Sequence, residues 1–470
     1  MKAVGLTRFS TRPLSFVLAA FAALLLTACA TLDFTAPKTS APFPRYPETS
    51  FAVFSDPHIF LNELGIGQPA FEKIKFSDRK IFEHSMSLLD TVIGRILEAR
   101  PHFVLVTGDL SKDGEEEVHL AFAAAMRRVV SAGIPVFVIP GNHDVNNPEA
   151  VKYEGDTTLR VPNVTPQRFA EIYRDFGYDK AIERDPGSLA YVAEPEPGLW
   201  LLAIDACRYD LSLKEKHEHT AGSFTTERLA WVKSMLERAR NENKAVIAMM
   251  HHGVLEHFDG QKKQFSQYVV ADNDPFSRML AEYGVRVVFT GHFHAQNIAG
   301  AWWDSRDRKI QPPSTRFLYD IETGSLVTYP CPYRLVHLGS DQFMQVRSGR
   351  IDSIPEMSTG FTEYAREYSR KGMFPYIEGV LMGYGISKKE ADTIAEPITD
   401  AGIAHFAGDA HFQGSEMYPT RNLSFMGSIA IGMKKDVIEG MWKGEPPHAD
   451  NNIDINLADG TYEKVEAARP

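Results

Sequence analysis

Five short polar clusters carry residue types that bind metals or move protons: Asp56-Pro57-His58, Gly108-Asp109, Gly141-Asn142-His143-Asp144, His251-His252 and Gly291-His292-Phe293-His294. Imidazole nitrogens, carboxylates and an amide oxygen form a mixed donor set. Such a set suits Mn, Fe or Zn and differs from the all-oxygen shell of a calcium cage. One cluster alone is weak evidence, because a chain with 16 His among 470 residues contains roughly one Asp-x-His by chance. Gly408-Asp409-Ala410-His411 is such a decoy: it matches two of the patterns but follows no strand, so Asp409 and His411 are expected to be solvated or capping residues.

Each of the five clusters sits at or just after the end of a short apolar run rich in Val, Ile and Phe. The runs Phe51 to Ser55, Phe103 to Thr107, Val136 to Pro140, Leu199 to Asp205, Ala245 to Met250 and Val285 to Thr290 predict buried strands. Between them, Leu89, Val92, Ile93, Ile96 and Leu97 repeat at helical spacing, and Glu115 to Val130 and Thr225 to Arg240 lack helix breakers. Strands alternating with helices imply an α/β layered fold. Loops at strand C-termini converge on one sheet edge, which is how clusters far apart in sequence can meet. Closely spaced strands without helices are expected from Ser325 to Val346. Helical composition takes over at Phe361 to Met382, Lys388 to Glu396 and Ile429 to Met441, and the polar residues from Glu445 to Pro470 read as a loop or tail.

Hydrophobic residues at 44% and charged residues at 24% exclude a mainly disordered chain. The first 29 residues read as an address. Lys2, Arg8 and Arg12 precede an uncharged run from Leu14 to Ala28, too short for a comfortable membrane span and ordered like a secretory signal. Pro37, Pro42, Pro44 and Pro47 then make residues 29–48 an extended tether. Beyond Cys29 the chain carries 47 basic and 61 acidic residues, a net charge of −14 that disfavours nucleic acid as a partner. Cys207 and Cys331 each follow a mostly apolar run and read as two buried thiols, with a disulfide as the other possibility.

The ordered series Asp56-x-His58, Gly108-Asp109, Gly141-Asn142-His143-Asp144, His251 and Gly291-His292-x-His294 resembles the full signature of the calcineurin-like metallophosphoesterases, over residues 50–300. The resemblance implies a four-layer α/β/β/α sandwich around two metal ions. It implies that Asp56, His58 and His294 hold one ion, that Asn142, His251 and His292 hold the other, and that Asp109 bridges both. His143 is implied as a non-ligand that contacts the phosphate or its leaving group. Asp144 is expected to orient His143 through a hydrogen bond, and His252 to support the site without binding metal. Leu26-Thr27-Ala28-Cys29 resembles a bacterial lipobox, which implies removal of residues 1–28, acylation of Cys29 and a lipid-anchored envelope protein. The layout, with a catalytic domain over 49–355 and a helical domain and tail over 356–470, resembles a subgroup of exported cyclic-nucleotide-type phosphodiesterases.

The chemistry so implied is hydrolysis of a small phosphate ester by metal-activated water, with a phosphodiester, including a 3',5'-cyclic nucleotide, favoured over a monoester. Two other classes compete. A DNA nuclease shares the motifs but is disfavoured by the charge and the anchor. A non-catalytic envelope protein is disfavoured by the completeness of the ligand set. His257, Arg208 and Tyr209 are expected either in the substrate pocket or on a solvated loop, and the run Glu115 to Glu117 is explained by the helix dipole alone.

Overall fold

The computed structural model describes residues 32–37, 42–412, 414 and 416–465. The expected signal segment 1–28 and Cys29 lie outside them. In chain order the strands are β1 (Thr49–Phe54), β2 (Phe103–Val106), β3 (Val136–Val138), β4 (Val151–Glu154), β5 (Thr157–Arg160), β6 (Glu183–Arg184), β7 (Tyr191–Glu196) and β8 (Leu199–Ile204). They continue as β9 (Ala245–Met250), β10 (Val287–Thr290), β11 (Asn297–Trp302), β12 (Phe317–Glu322), β13 (Pro332–Leu338), β14 (Phe343–Arg350), β15 (Asn452–Asn456) and β16 (Tyr462–Lys464). One sheet has the order β16-β15-β14-β13-β1-β2-β3 and the other β11-β12-β10-β9-β8-β7-β6, with β4 and β5 pairing separately. All six strands expected from the apolar runs are present.

The sheets meet face to face. Phe51 of β1 packs edge-on against Phe289 of β10 with ring centres 5.2 Å apart, and Tyr191 of β7 donates to the Val138 carbonyl of β3 at 2.9 Å. The buried strands read as continuous apolar runs because the other face of each sheet is covered by helices. These are α1 (Ser85–Ala99), α2 (Glu116–Ser131), α3 (Thr226–Asn241) and α4 (Asn273–Tyr283). In α1, Leu88, Leu89, Val92, Ile93 and Ile96 are all buried, as the helical spacing demands.

The helical segment comprises α5 (Phe361–Gly383), α6 (Lys388–Ala407) and α7 (Phe425–Lys443). It is an insertion between β14 and β15. The stretch expected as a polar loop or tail instead adds two strands to the first sheet, with Val346 opposite Ile453 and Met344 opposite Ile455. Asn452-Ile453-Asp454-Ile455-Asn456 alternates strictly, and both Ile side chains are fully buried, so one apolar face of a five-residue strand outweighs the polar composition of the region. Helix α6 also runs past its expected end at Glu396, through Pro397 to Ala407. Burial of Ala395, Ala401 and Ile403 outweighs the cost of the proline.

The expected tether is ordered where it is described. Tyr46 is buried, donating to the Val246 carbonyl at 3.0 Å, and Gln342 pairs with its backbone on both sides at 2.9 Å. Cys207 and Cys331 are both buried and free.

Candidate metal centre

The strand ends place the clusters together. Asp56 follows β1, Asp109 follows β2, Asn142 and His143 follow β3, His251 follows β9, and His292 and His294 follow β10. Backbone bonds stitch these loops to one another: Asp56 N to Gly108 O at 3.1 Å, His58 N to Asp109 O at 2.9 Å and Gly291 N to His251 O at 3.0 Å. The two sheets are joined at the same edge by His292 N donating to Asp56 Oδ2 at 3.1 Å. Asp56, His58, Asp109, His292 and His294 all have positive φ, between 37° and 79°. Each such residue costs about 1–3 kcal/mol, so the surrounding structure must hold them there, as it does at functional sites.

Two groups of donors result, and Asp109 belongs to both. Asp56, His58, Asp109 and His294 offer ligand atoms within 4.8 Å of one another, and so do Asp109, His251 and His292. Asp109 Oδ2 lies 3.4 Å from His58 Nε2 and 3.3 Å from His251 Nε2. Asn142 completes the second group. Its Oδ1 is 3.0 Å from His251 Nε2, and its amide nitrogen is spent on Glu218 at 2.6 Å, which fixes the oxygen toward the cluster. The rings are oriented from behind: His251 Nδ1 lies 2.8 Å from the Thr107 carbonyl, His58 Nδ1 3.3 Å from the Ser111 carbonyl and His292 Nε2 3.2 Å from the Gln267 carbonyl. Metal-binding imidazoles characteristically carry such a partner on the other nitrogen.

The residues fit cations. Asp56 Oδ1 is buried without any hydrogen-bond donor, 3.3 Å from His294 Nε2 and 3.8 Å from His58 Nε2. A buried carboxylate oxygen without a donor is costly unless a positive ion faces it. Burial raises the Asp109 carboxyl, but His251, His143 and His58 outweigh it and hold Asp109 well below the usual carboxylate range. Burial disfavours a charged His251, yet Asp109 and Asp56 raise it to about 10. A cation among these donors would compete with a proton on His251. Gly108 has φ of 103°, and a Cβ there would lie 2.6 Å from His251 Nδ1 and 2.8 Å from Gly141 N, so loop and ligand ring approach only because the position is glycine.

His143 stands beside the donors, with its side chain 22% exposed. Burial and Lys80 oppose its protonation, but Asp109, Asp113 and Glu218 raise it to about 9. Its orienting carboxylate is not the expected Asp144. Asp144 Oδ2 accepts from the backbone of Gly141 and Leu110 at 2.8 and 3.1 Å, and its Oδ1 from Ser111 N and Oγ, both at 3.0 Å. Four loop donors occupy it, so it fastens the β2 loop to the β3 loop. The partner of His143 is Asp113, whose Oδ1 is 2.9 Å from Nδ1. No motif marks Asp113, which is brought to the ring by the turn after Asp109.

Other expectations sort cleanly. His252 bonds the Thr220 carbonyl at 2.9 Å and packs at a tilt on His292 with ring centres 4.4 Å apart, outside the donor groups. Asp409 makes a bidentate pair with Arg350 at 2.6 and 2.8 Å, and Gly408 caps α6. His257 neither faces solvent nor lies on a loop surface; it is buried between Asn297 and Asp320, at 2.8 and 3.2 Å. Arg208 pairs with Asp210, and Tyr209 is buried against Asp205. Glu116 and Glu117 occupy the first turn of α2, whereas Glu115 is buried and accepts from Asp113 N at 2.9 Å.

Residues 49–296, more than half of the chain, match the family model described as calcineurin-like phosphoesterase. The chain belongs to this family. Over 260 residues the phosphoesterase is 26% identical to a protein of Arcobacter nitrofigilis named probable glycerophosphodiester phosphodiesterase GpdQ, covering 50% of this chain and 78% of that one. It is also 26% identical to the serine/threonine-protein phosphatase CPPED1 of Bos taurus, over 47% of this chain and 62% of that one. Among solved structures, a dimetal phosphatase from Danio rerio aligns with 65% of this chain and 98% of its own, at 15% identity and a TM-score of 0.43.

Proposed function

We propose that this phosphoesterase hydrolyses phosphodiesters at a two-ion centre, with Asp56, His58 and His294 on one ion, Asn142, His251 and His292 on the other, and Asp109 between them. The observation that carries the proposal is the position of Asp109 Oδ2, within 3.4 Å of a ring nitrogen from each donor group. A pair of Mn, Fe or Zn ions supplies neutralisation of phosphoryl charge and activation of water. The protein's own part is positioning and proton transfer. With Nδ1 fixed on Asp113, His143 keeps Nε2 for donation of a proton to the departing oxygen.

The diester reading is supported by similarity to a protein named as a glycerophosphodiester phosphodiesterase; cyclic nucleotides belong to the same bond class. Similarity to a protein phosphatase supports a second reading, a monoesterase on the same centre. An activity screen with Mn against bis(p-nitrophenyl) phosphate, p-nitrophenyl phosphate, cyclic nucleotides and glycerophosphodiesters separates them: diesters turn over faster if the first reading holds, and p-nitrophenyl phosphate if the second does. The net charge of −14 beyond Cys29 supports a small substrate over DNA. We further infer, from the basic start, apolar run and Cys29 of the first 29 residues, that the protein is lipid-anchored in a bacterial envelope and faces the periplasm or exterior. Palmitate labelling of wild type and Cys29→Ser tests this, and equal labelling of the two rejects it.

A further inference from the structure

We propose that Lys80 is the phosphate-binding cation of this site, its ammonium pairing with a non-bridging oxygen of the ester. The inference rests on the phosphoesterase reading above and adds a residue outside the metal-binding motifs. Lys80 is only 6% exposed. The other buried cations among the described residues are compensated. Lys112 pairs with Asp113 and lies 5.6 to 5.8 Å from the rings of Phe60, Phe82 and Tyr153. Arg228 donates to the Cys207 carbonyl at 2.8 Å, Arg286 lies between the rings of Phe43 and Phe317 at 4.5 and 4.6 Å, and Arg334 donates to backbone carbonyls of Asp450 and Glu322. The Lys80 ammonium has no hydrogen bond or ion pair among the described residues, although the Lys80 carbonyl accepts from Phe82 N at 2.9 Å. A side chain that is largely buried but keeps its ammonium unpaired has that charge free to pair with an arriving anion.

Backbone contacts put Lys80 at the metal-binding loops. Ile81 N donates to Val327 O at 2.7 Å, Leu326 N to Ser55 O at 3.0 Å, and Ser325 Oγ to Asp56 O at 2.8 Å. On the other side, Ser85 Oγ bonds both backbone groups of Phe60 at 3.1 Å, and the Phe82 and Phe60 rings lie 6.0 Å apart. The segment from Lys80 to Ser85 is therefore fixed to residues flanking both Asp56 and His58. After burial itself, the Lys80 charge is the largest influence opposing protonation of His58 and His143, and it acts on His294 as well. The segment that carries Lys80 thus lies against the loops of Asp56 and His58, at the edge where a phosphate would be held.

The helical insertion holds this segment in place. Tyr368 of α5 packs on Phe76 at 4.8 Å and donates to the Lys75 carbonyl at 2.7 Å. A Cβ on Gly372 of the same helix would lie 2.7 Å from Arg79 Cγ. The insertion, which supplies no donor to either metal group, thereby acts on substrate binding through Lys80.

The test uses full chain reconstituted with Mn, as wild type, Lys80→Met and Lys80→Arg. Metal content, calorimetric binding of inorganic phosphate, and kcat and KM for bis(p-nitrophenyl) phosphate are measured. A charge-assisted hydrogen bond of ordinary strength predicts that Lys80→Met weakens phosphate binding about 10- to 100-fold and raises KM. Its metal content and melting temperature stay near wild type, because no side-chain bond of the folded protein is lost, and Lys80→Arg recovers part of the phosphate affinity. Phosphate affinity within twofold of wild type in Lys80→Met overturns the proposal, as does loss of a metal or failure to fold. Wild type that loads metal but neither binds phosphate nor cleaves any ester overturns the phosphoesterase reading itself, and Lys80 with it.

Discussion

Gly108→Ala perturbs the metal centre without touching a donor atom. The new Cβ would lie 2.6 Å from His251 Nδ1, whereas ordinary contact begins at 3.4 Å, so ring and loop must separate by about 0.8 Å. The ring cannot retreat freely, because Nδ1 is held by the Thr107 carbonyl at 2.8 Å. Metal–ligand distances tolerate about 0.2 Å, so the ion on His251 loses proper coordination, with an expected fall in its affinity of at least 10-fold. Positive φ at residue 108 adds about 1–2 kcal/mol of backbone strain. Two controls separate these effects. Gly133 has φ of 85° and open space around its Cβ position, so Gly133→Ala carries the strain alone; Gly94 has open space and no such φ, so Gly94→Ala carries neither. Titrating chelator-treated variants with Mn, alongside urea unfolding, should show weakened binding of one ion only in Gly108→Ala, while Gly108→Ala and Gly133→Ala both lose stability. Wild-type affinity for both ions in folded Gly108→Ala would show that the close approach of residue 108 to His251 does not set metal binding.

Asp109→Ala should lose more metal than His58→Ala or Asn142→Ala, because Asp109 serves both donor groups; elemental analysis showing two ions per chain in Asp109→Ala contradicts this. His143→Ala and Asp113→Asn should slow alkyl phosphodiesters about 10²–10⁴-fold in kcat and nitrophenyl esters far less, because only a poor leaving group needs the proton; an equal loss on both substrates points to a structural role. Burial disfavours a charged His257, but Asp320 and Glu322 raise it from 6.5 to about 9. Its contribution is complete below pH 6.5 and is lost as pH rises through 9. The shift is worth about 3 kcal/mol. Urea unfolding of metal-free protein should show stability falling from pH 7 to 9.5, with a flatter slope in His257→Gln.

Much of the centre is legible in the sequence because its donors follow strand ends, and strands buried on both faces announce themselves as short apolar runs. That is why Asp56, His58, Asp109, Asn142, His251, His292 and His294 are readable from the sequence. Residues that support the donors are not. Asp113 and Glu218 lie on loops whose course is set by tertiary contacts, and Asp144, adjacent to His143 in sequence, turns away to bind four donors of neighbouring loops. Lys80 belongs to no periodic element; among the described lysines only Lys80 and Lys112 are buried, and Lys112 is paired with Asp113. The return of β15 to the first sheet is visible locally as alternation in residues 452–456, but it is outweighed by the polar composition around it. Insertion of a whole helical segment between two adjacent strands leaves no local trace.

A catalytic centre of two ions joined through Asp109 is the reading on which the proposed chemistry depends. Its most direct test is a titration of chelator-treated protein with Mn, following bound metal and hydrolysis of bis(p-nitrophenyl) phosphate together. Hydrolysis should be absent without metal, rise to full rate as the second ion binds, and stay absent in Asp109→Ala at the same metal concentrations. Full hydrolysis by metal-free protein, or saturation at one ion per chain, would contradict it.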